Sequence, residues 1–120
     1  MSLIQRYHVG KRLSEMAVHN GVAYLAGQVP EDLTQDIAGQ TREVLGMIDR
    51  LLAQVGSDKS RLLSVQIYLA DIKDITAMNV VWDEWIGQGS AIGNAPPRAT
   101  VQAALANPAY KIEIVVKAAC

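Results

Sequence analysis

From Ile37 to Val55 the apolar residues fall on a single stripe, and that stripe limits the fold more than any other stretch of the chain. Ile37, Val44, Leu45, Ile48, Leu51, Leu52 and Val55 recur at steps of seven, one, three, three, one and three. At 3.6 residues per turn this spacing puts them on one side of a helix. Gln40, Arg42, Glu43, Asp49 and Arg50 take the wet side. Thr34 or Asp36 is suited to cap the start, and Gly56 to be the left-handed residue that closes the end. A helix that is apolar on one face must lie on something.

The neighbouring segments supply a sheet for it to lie on. Leu62–Leu69 alternates, with Leu63, Val65, Ile67 and Leu69 on one side and Ser64, Gln66 and Tyr68 on the other. Met16–His19 and Val22–Gly27 flank Asn20-Gly21, a hairpin signal because both turn residues tolerate positive φ. The first nine residues read as an edge strand. Asp74 is placed to cap a second helix whose stripe is Ile75, Met78, Val81, Trp82 and Trp85, with Gly87 as its stop. After a Gly- and Pro-rich loop over Gly87–Pro97, Ala99–Leu105 and Lys111–Ala118 read as two further strands joined around Asn107-Pro108. The order β, ββ, α, β, α, ββ predicts an α+β fold, a mixed sheet with both helices packed on one face. The other face, assigned Gln66, Tyr68, Thr100, Gln102 and Glu113, is too apolar for open water and is expected to pack on another subunit.

Composition narrows the function. The 120 residues are one domain's worth, half of them hydrophobic and 19% charged, with a formal net charge of −1. That balance fits a soluble globule and argues against a phosphate-tracking nucleic-acid binder. Cys120 is the only cysteine and, with His8 and His19, makes too thin a set for structural zinc. No apolar run approaches the ~20 residues of a membrane span, and Met1 to Gly10 offers no secretory h-region. The expectation is one cytoplasmic domain over 1–120, without metal or cofactor.

Most catalytic signatures are missing. Gly87-Gln88-Gly89 follows a helix rather than a strand and lacks the third glycine of a dinucleotide loop; no phosphate loop, nucleophile elbow or His-Glu-x-x-His occurs. What remains is Ala95-Pro96-Pro97-Arg98-Ala99-Thr100-Val101, where two prolines stiffen the approach to an arginine at a strand start. Such an arginine is suited to grip a carboxylate through two parallel hydrogen bonds. The competing reading pairs Arg98 with Glu113 across the Asn107-Pro108 turn. Glu113 is the lone acid of its strand and points away from Ile112 and Ile114, so it can hold a water, act as acid or base, or form an interface salt bridge. Asn79 lies on the polar flank of the second helix. Gly27 either turns the chain or lets a ligand approach its backbone. Trp82 and Trp85 read as core or interface residues.

Pro97-Arg98-Ala99-Thr100-Val101, followed by Tyr110-Lys111-Ile112-Glu113-Ile114, resembles the C-terminal signature of the RidA/YjgF family of reactive-intermediate deaminases. Leu25-Ala26-Gly27-Gln28-Val29-Pro30 is similar to that family's Ser-Gly-Gln-Ile-Pro segment, and Gln40-Thr41-Arg42, 65–71 and Met78-Asn79 also match. His19-Asn20, Ala70-Asp71 and 107–111 look like the YoaB-type branch. The resemblance implies a chorismate-mutase-like homotrimer with ligand clefts between subunits. It also implies hydrolysis of enamines and imines, such as 2-aminoacrylate, to 2-oxo acids and ammonia. Arg98 would bind the substrate carboxylate and Glu113 would position or activate water. Gly27 and Asn79 would line the cleft, and the Thr100 backbone would donate or accept hydrogen bonds. The alternative is a trimeric binding protein for small carboxylates or oxo acids that turns nothing over. This chain departs from the archetype at Leu13, where relatives carry tyrosine, at Thr100, where they carry cysteine, and at Ala26, where they carry serine. The loop 87–94 also reads as longer than theirs.

Overall fold

A computed structural model of the chain describes residues 3–120. Six strands form one sheet: β1 (Gln5–Val9), β2 (Ser14–His19), β3 (Val22–Leu25), β4 (Leu62–Leu69), β5 (Arg98–Gln102) and β6 (Ile112–Ala119). Their order across the sheet is β1-β2-β3-β6-β4-β5, so β1 and β5 are the edges. All pairs are antiparallel except β4 and β5, which run parallel. Two α-helices, α1 (Ile37–Ala53) and α2 (Ile75–Ile86), complete the α+β architecture.

The local signals explain the elements. Asn20 and Gly21 both take positive φ, +50° and +76°, and make the β2–β3 turn. Asp36 caps α1, its carboxylate accepting the Gly39 N–H at 2.9 Å. At the other end Ser57 N–H donates to Leu52 C=O (3.0 Å) and Gly56 N–H to Ala53 C=O (3.2 Å). With Gly56 at φ +70° this is a Schellman closure, as its position predicts. The start of α2 differs from expectation: Asp74 makes no side-chain cap. Asp71 does the work one turn earlier, accepting Lys73 N–H at 2.9 Å and setting the 3₁₀ turn Ile72–Asp74 that leads into the helix.

The core lies between the helices and one sheet face. Val44, Leu45, Ile48 and Leu52 of α1 and Met78 and Val81 of α2 are buried with Met16, Ala23, Ile67, Leu69, Ile112, Ile114 and Val116 of the sheet. Molecular extents of 46 × 37 × 21 Å describe a slab two layers thick, leaving the second sheet face uncovered.

Three expectations about the sheet are corrected. A bulge between Leu62 and Ser64 shifts the register, so Leu62 is buried and Leu63 is exposed. The two last strands are not neighbours: β5 pairs with β4, and β4 separates it from β6. Asn107-Pro108 therefore ends a crossover rather than a hairpin, and Arg98 does not pair with Glu113. Third, Thr100 and Gln102 stand opposite Ile67 and Leu69, which places them on the helix-covered face. Opposed residues share a face because side chains alternate with a period of two.

Candidate functional site

Arg98 opens β5 in register with Val65 and directs its side chain to α2. Asn79 and Trp82, three positions apart, sit on one side of that helix. Arg98 Nη2 donates to Asn79 Oδ1 at 2.8 Å, and its Cζ lies 5.0 Å from the Trp82 ring centroid. Among the described residues no carboxylate comes within ion-pair distance of the guanidinium.

Thr100 stands two residues on, facing the same way. Its Oγ1 is buried without a hydrogen-bond partner among the described residues, a state that costs about 1–3 kcal/mol unless something fills it. The backbone here is also open. Val65 N–H donates to Pro97 C=O and Ala103 N–H to Leu69 C=O, each at 3.0 Å. In a parallel ladder alternate residues face the partner, so 97, 99, 101 and 103 turn towards β4. Arg98, Thr100 and Gln102 direct their peptide groups outward along the free edge. The guanidinium, the unpaired hydroxyl and these outward peptide groups all lie along the β5 edge.

Glu113 and Gly27 form a second cluster. Glu113 stands opposite Tyr68 on the uncovered face and is half-buried. A Cβ on Gly27 would collide with its carboxylate, lying 2.8 Å from the carboxyl carbon. The chain is held there firmly. Gln28 N–H donates to Ile114 C=O at 2.8 Å, and Ile114 N–H returns to Gln28 C=O at 3.1 Å. The buried Gln28 side chain donates to Glu15 Oε2 (3.0 Å) and Ala26 C=O (2.9 Å). A pocket of about 690 Å³ opens beside Gly27, lined among others by Glu15, Gln28, Leu33, Met47 and Tyr110.

One chain thus brings Arg98, Asn79 and Thr100 together, and separately Gly27 and Glu113. The two groups remain apart. Between the Arg98 and Glu113 positions lie two strand spacings and three residues of register, roughly 10 Å in each direction, with the side chains leaving opposite faces. Among the described residues no group of three or more His, Cys, Asp or Glu could hold a metal ion. Among the described residues no helix is long and apolar enough to cross a membrane.

The family model described as Endoribonuclease L-PSP matches residues 4–120. A RutC family protein of Haemophilus influenzae is 52% identical over 118 residues, 98% of each chain. The RutC family protein YoaB of Escherichia coli is 45% identical, over 97% of each. A member of the YjgF protein family from Neisseria meningitidis superposes with a TM-score of 0.91 at 43% identity, over 97% of this chain and 93% of that one. The chain belongs to the RidA/YjgF family. It shares the chorismate-mutase-like fold of these YjgF neighbours.

Within this RidA/YjgF member the departures have definite places. Leu13 lies in the β1–β2 turn, more than half exposed, and offers no hydroxyl. Tyr24 faces the uncovered side opposite Lys117, and Ser14 begins β2. The loop after α2 is anchored, since Ala91 is fully buried and its 3₁₀ turn, Gly89–Ala91, packs against Lys59–Arg61. Sequence reasoning missed one contributor, Trp82. Its i, i+3 spacing from Asn79 was the available signal, but a tryptophan on an apolar stripe reads as core. It is both buried and in contact with the site arginine.

Proposed function

We propose that this protein hydrolyses small 2-imino acids and their enamine tautomers to 2-oxo acids and ammonia. The observation that carries the reading is the set of groups that hold the Arg98 guanidinium. The guanidinium is held by a neutral amide and an indole ring, leaving its charge for a ligand. An α-carboxylate matches that fork, and the outward Thr100 peptide group can take a further hydrogen bond. Family membership supports the same class of chemistry.

Substrate would lie with its carboxylate on Arg98 and its imine carbon toward a water held by Glu113. Because one chain keeps the two apart, a second copy would supply the missing half, its uncovered face meeting the β5 edge. Pairing two different surfaces in this way gives a ring when the rotation closes, and the resemblance points to three members. Glu113 takes one water proton as the water oxygen bonds to C2 and the C=N π pair moves onto nitrogen, and it hands that proton to the nitrogen to give the carbinolamine. It then takes the hydroxyl proton as C=O forms and the C–N bond breaks, delivers it to the departing nitrogen, and ammonia leaves. An imine carbon is already electrophilic, so positioning and one proton shuttle suffice. The net charge of −1 weighs against a polyanionic substrate such as RNA.

An amino-acid oxidase generating 2-imino acids, with semicarbazide trapping survivors, tests the reading. Wild type is expected to suppress the semicarbazone. Arg98→Ala should lower kcat/KM by about 10²–10³, the loss of two charge-assisted hydrogen bonds. Glu113→Gln should lower kcat by about 10²–10⁴ while retaining oxo-acid binding. Wild type matching the protein-free control across small and bulky imines would overturn the enzyme in favour of a carboxylate-binding protein.

A further inference from the structure

Arg98 carries a full charge with no counter-ion among the described residues, and the way it is held has a consequence. Asn79 engages one guanidinium nitrogen. Trp82 lies against the cation and is only 6% exposed. Behind Trp82 stands Trp85, ring centroids 5.3 Å apart at 56°. Trp85 is itself fixed: its Nε1–H is shared between both Asp49 oxygens, at 3.2 and 3.0 Å. Lys59 Nζ donates to its carbonyl at 2.6 Å and lies 5.4 Å from its ring centroid. Trp82 is therefore wedged between a tethered tryptophan and the arginine. A ring attracts a guanidinium without neutralising it, whereas a carboxylate in its place would compete with any anionic ligand.

We infer that Trp82 is a positioning residue that sets the plane of the Arg98 fork and keeps it unneutralised for a small carboxylate. The inference rests on the reading of Arg98 as a carboxylate anchor. Trp82 acts through the arginine and is not assigned contact with substrate.

The test uses the ¹⁵N-labelled protein, whose two tryptophans give two indole N–H signals, assigned with Trp85→Phe. On titration with 2-oxobutanoate the Trp82 signal should move and the Trp85 signal, held by Asp49, should not. Arg98→Ala should abolish the movement. By calorimetry, Trp82→Phe, which keeps a π face, should bind within about threefold of wild type and Trp82→Leu about tenfold more weakly. In the imine assay the Trp82→Leu loss should fall on KM rather than kcat. A Trp82 signal that stays still at saturating 2-oxobutanoate overturns the inference, as does Trp82→Leu binding like wild type or Trp82→Phe binding as weakly as Trp82→Leu. Should Trp82→Leu fail to fold, the wild-type titration and Trp82→Phe decide. If these binding results hold without imine hydrolysis, the deaminase reading falls and the positioning role stands. If hydrolysis proceeds and Trp82→Leu matches wild type, the positioning role alone falls.

Discussion

Gly27 and Thr100 carry their functional argument in single atoms. A methyl on Gly27 would occupy the place of the Glu113 carboxylate, which sits at the end of a flexible side chain and can swing aside. Gly27→Ala should therefore leave the melting temperature within a few degrees and remove most imine hydrolysis, measured side by side on one preparation. Thr100 predicts a split of the opposite kind. Its hydroxyl is buried and unpaired, so Thr100→Val, nearly the same shape, should be neutral or stabilising by about 1 kcal/mol in chemical denaturation. If the hydroxyl serves a ligand, the same variant binds 2-oxobutanoate more weakly. Gain in stability with loss of affinity is the expected mark of a group kept for function. Arg98 and Glu113 were legible as candidates because each stood alone, an arginine after two prolines and an acid in an apolar strand, whereas Thr100 came forward only through the family resemblance. Trp82 was not legible, since indole among apolar neighbours gives no sign of the cation it will meet.

At the scale of elements, Gln40 joins α1 to the crossover that leads into β6. Contrary to its expected place on the wet side of the helix it is fully buried, its Nε2 donating to Gln35 C=O (3.3 Å) and Ala109 C=O (3.1 Å) while its Oε1 accepts Lys111 N–H at 2.8 Å. Gln40→Leu should cost about 2–4 kcal/mol in urea unfolding, because it strands buried backbone groups. The loop before α1 adds a pH dependence. Asp32 accepts the Thr34 hydroxyl (2.6 Å) and the Thr34 N–H (3.0 Å), which hold its carboxyl below the usual value. The folded state thus favours the carboxylate. Its contribution is complete above the ordinary carboxyl range and is lost as pH falls through the lowered folded value. Asp32→Asn should melt slightly below wild type at pH 7, and the gap should narrow as pH falls below the ordinary carboxyl range. Helix periods, Asp36, Gly56 and Asn20-Gly21 were readable because their partners lie within a few residues. The Leu62/Leu63 exchange was not, since a bulge is decided by the strand opposite.

Over the whole molecule the slab has one finished side and one unfinished side. On the unfinished side Tyr24 and Val101 are nearly half exposed beside Tyr68 and Val115. Scattered apolar residues are ordinary on a surface, but a sheet face of this composition beside a polar cluster suits an interface. Light scattering should give a mass three times the 13.0 kDa of one chain. Val101→Glu should return it to a monomer that keeps its circular dichroism and loses activity, because the Arg98 and Glu113 groups then have no common cleft.

The amino-acid sequence alone determined which segments are helix and strand, that the helices share one face, and that Arg98 and Glu113 stand out as candidates. Those properties rest on period, turn chemistry and residue type, all short-ranged. Only the tertiary structure decided that β4 lies between β5 and β6, which parts Arg98 from Glu113 and turns Thr100 toward the helices. Strand order comes from long-range pairing, where one shift of neighbour or register redirects every side chain on the strand. The indole beneath Arg98 was settled in the same way, by a helix packing across the first residue of an edge strand.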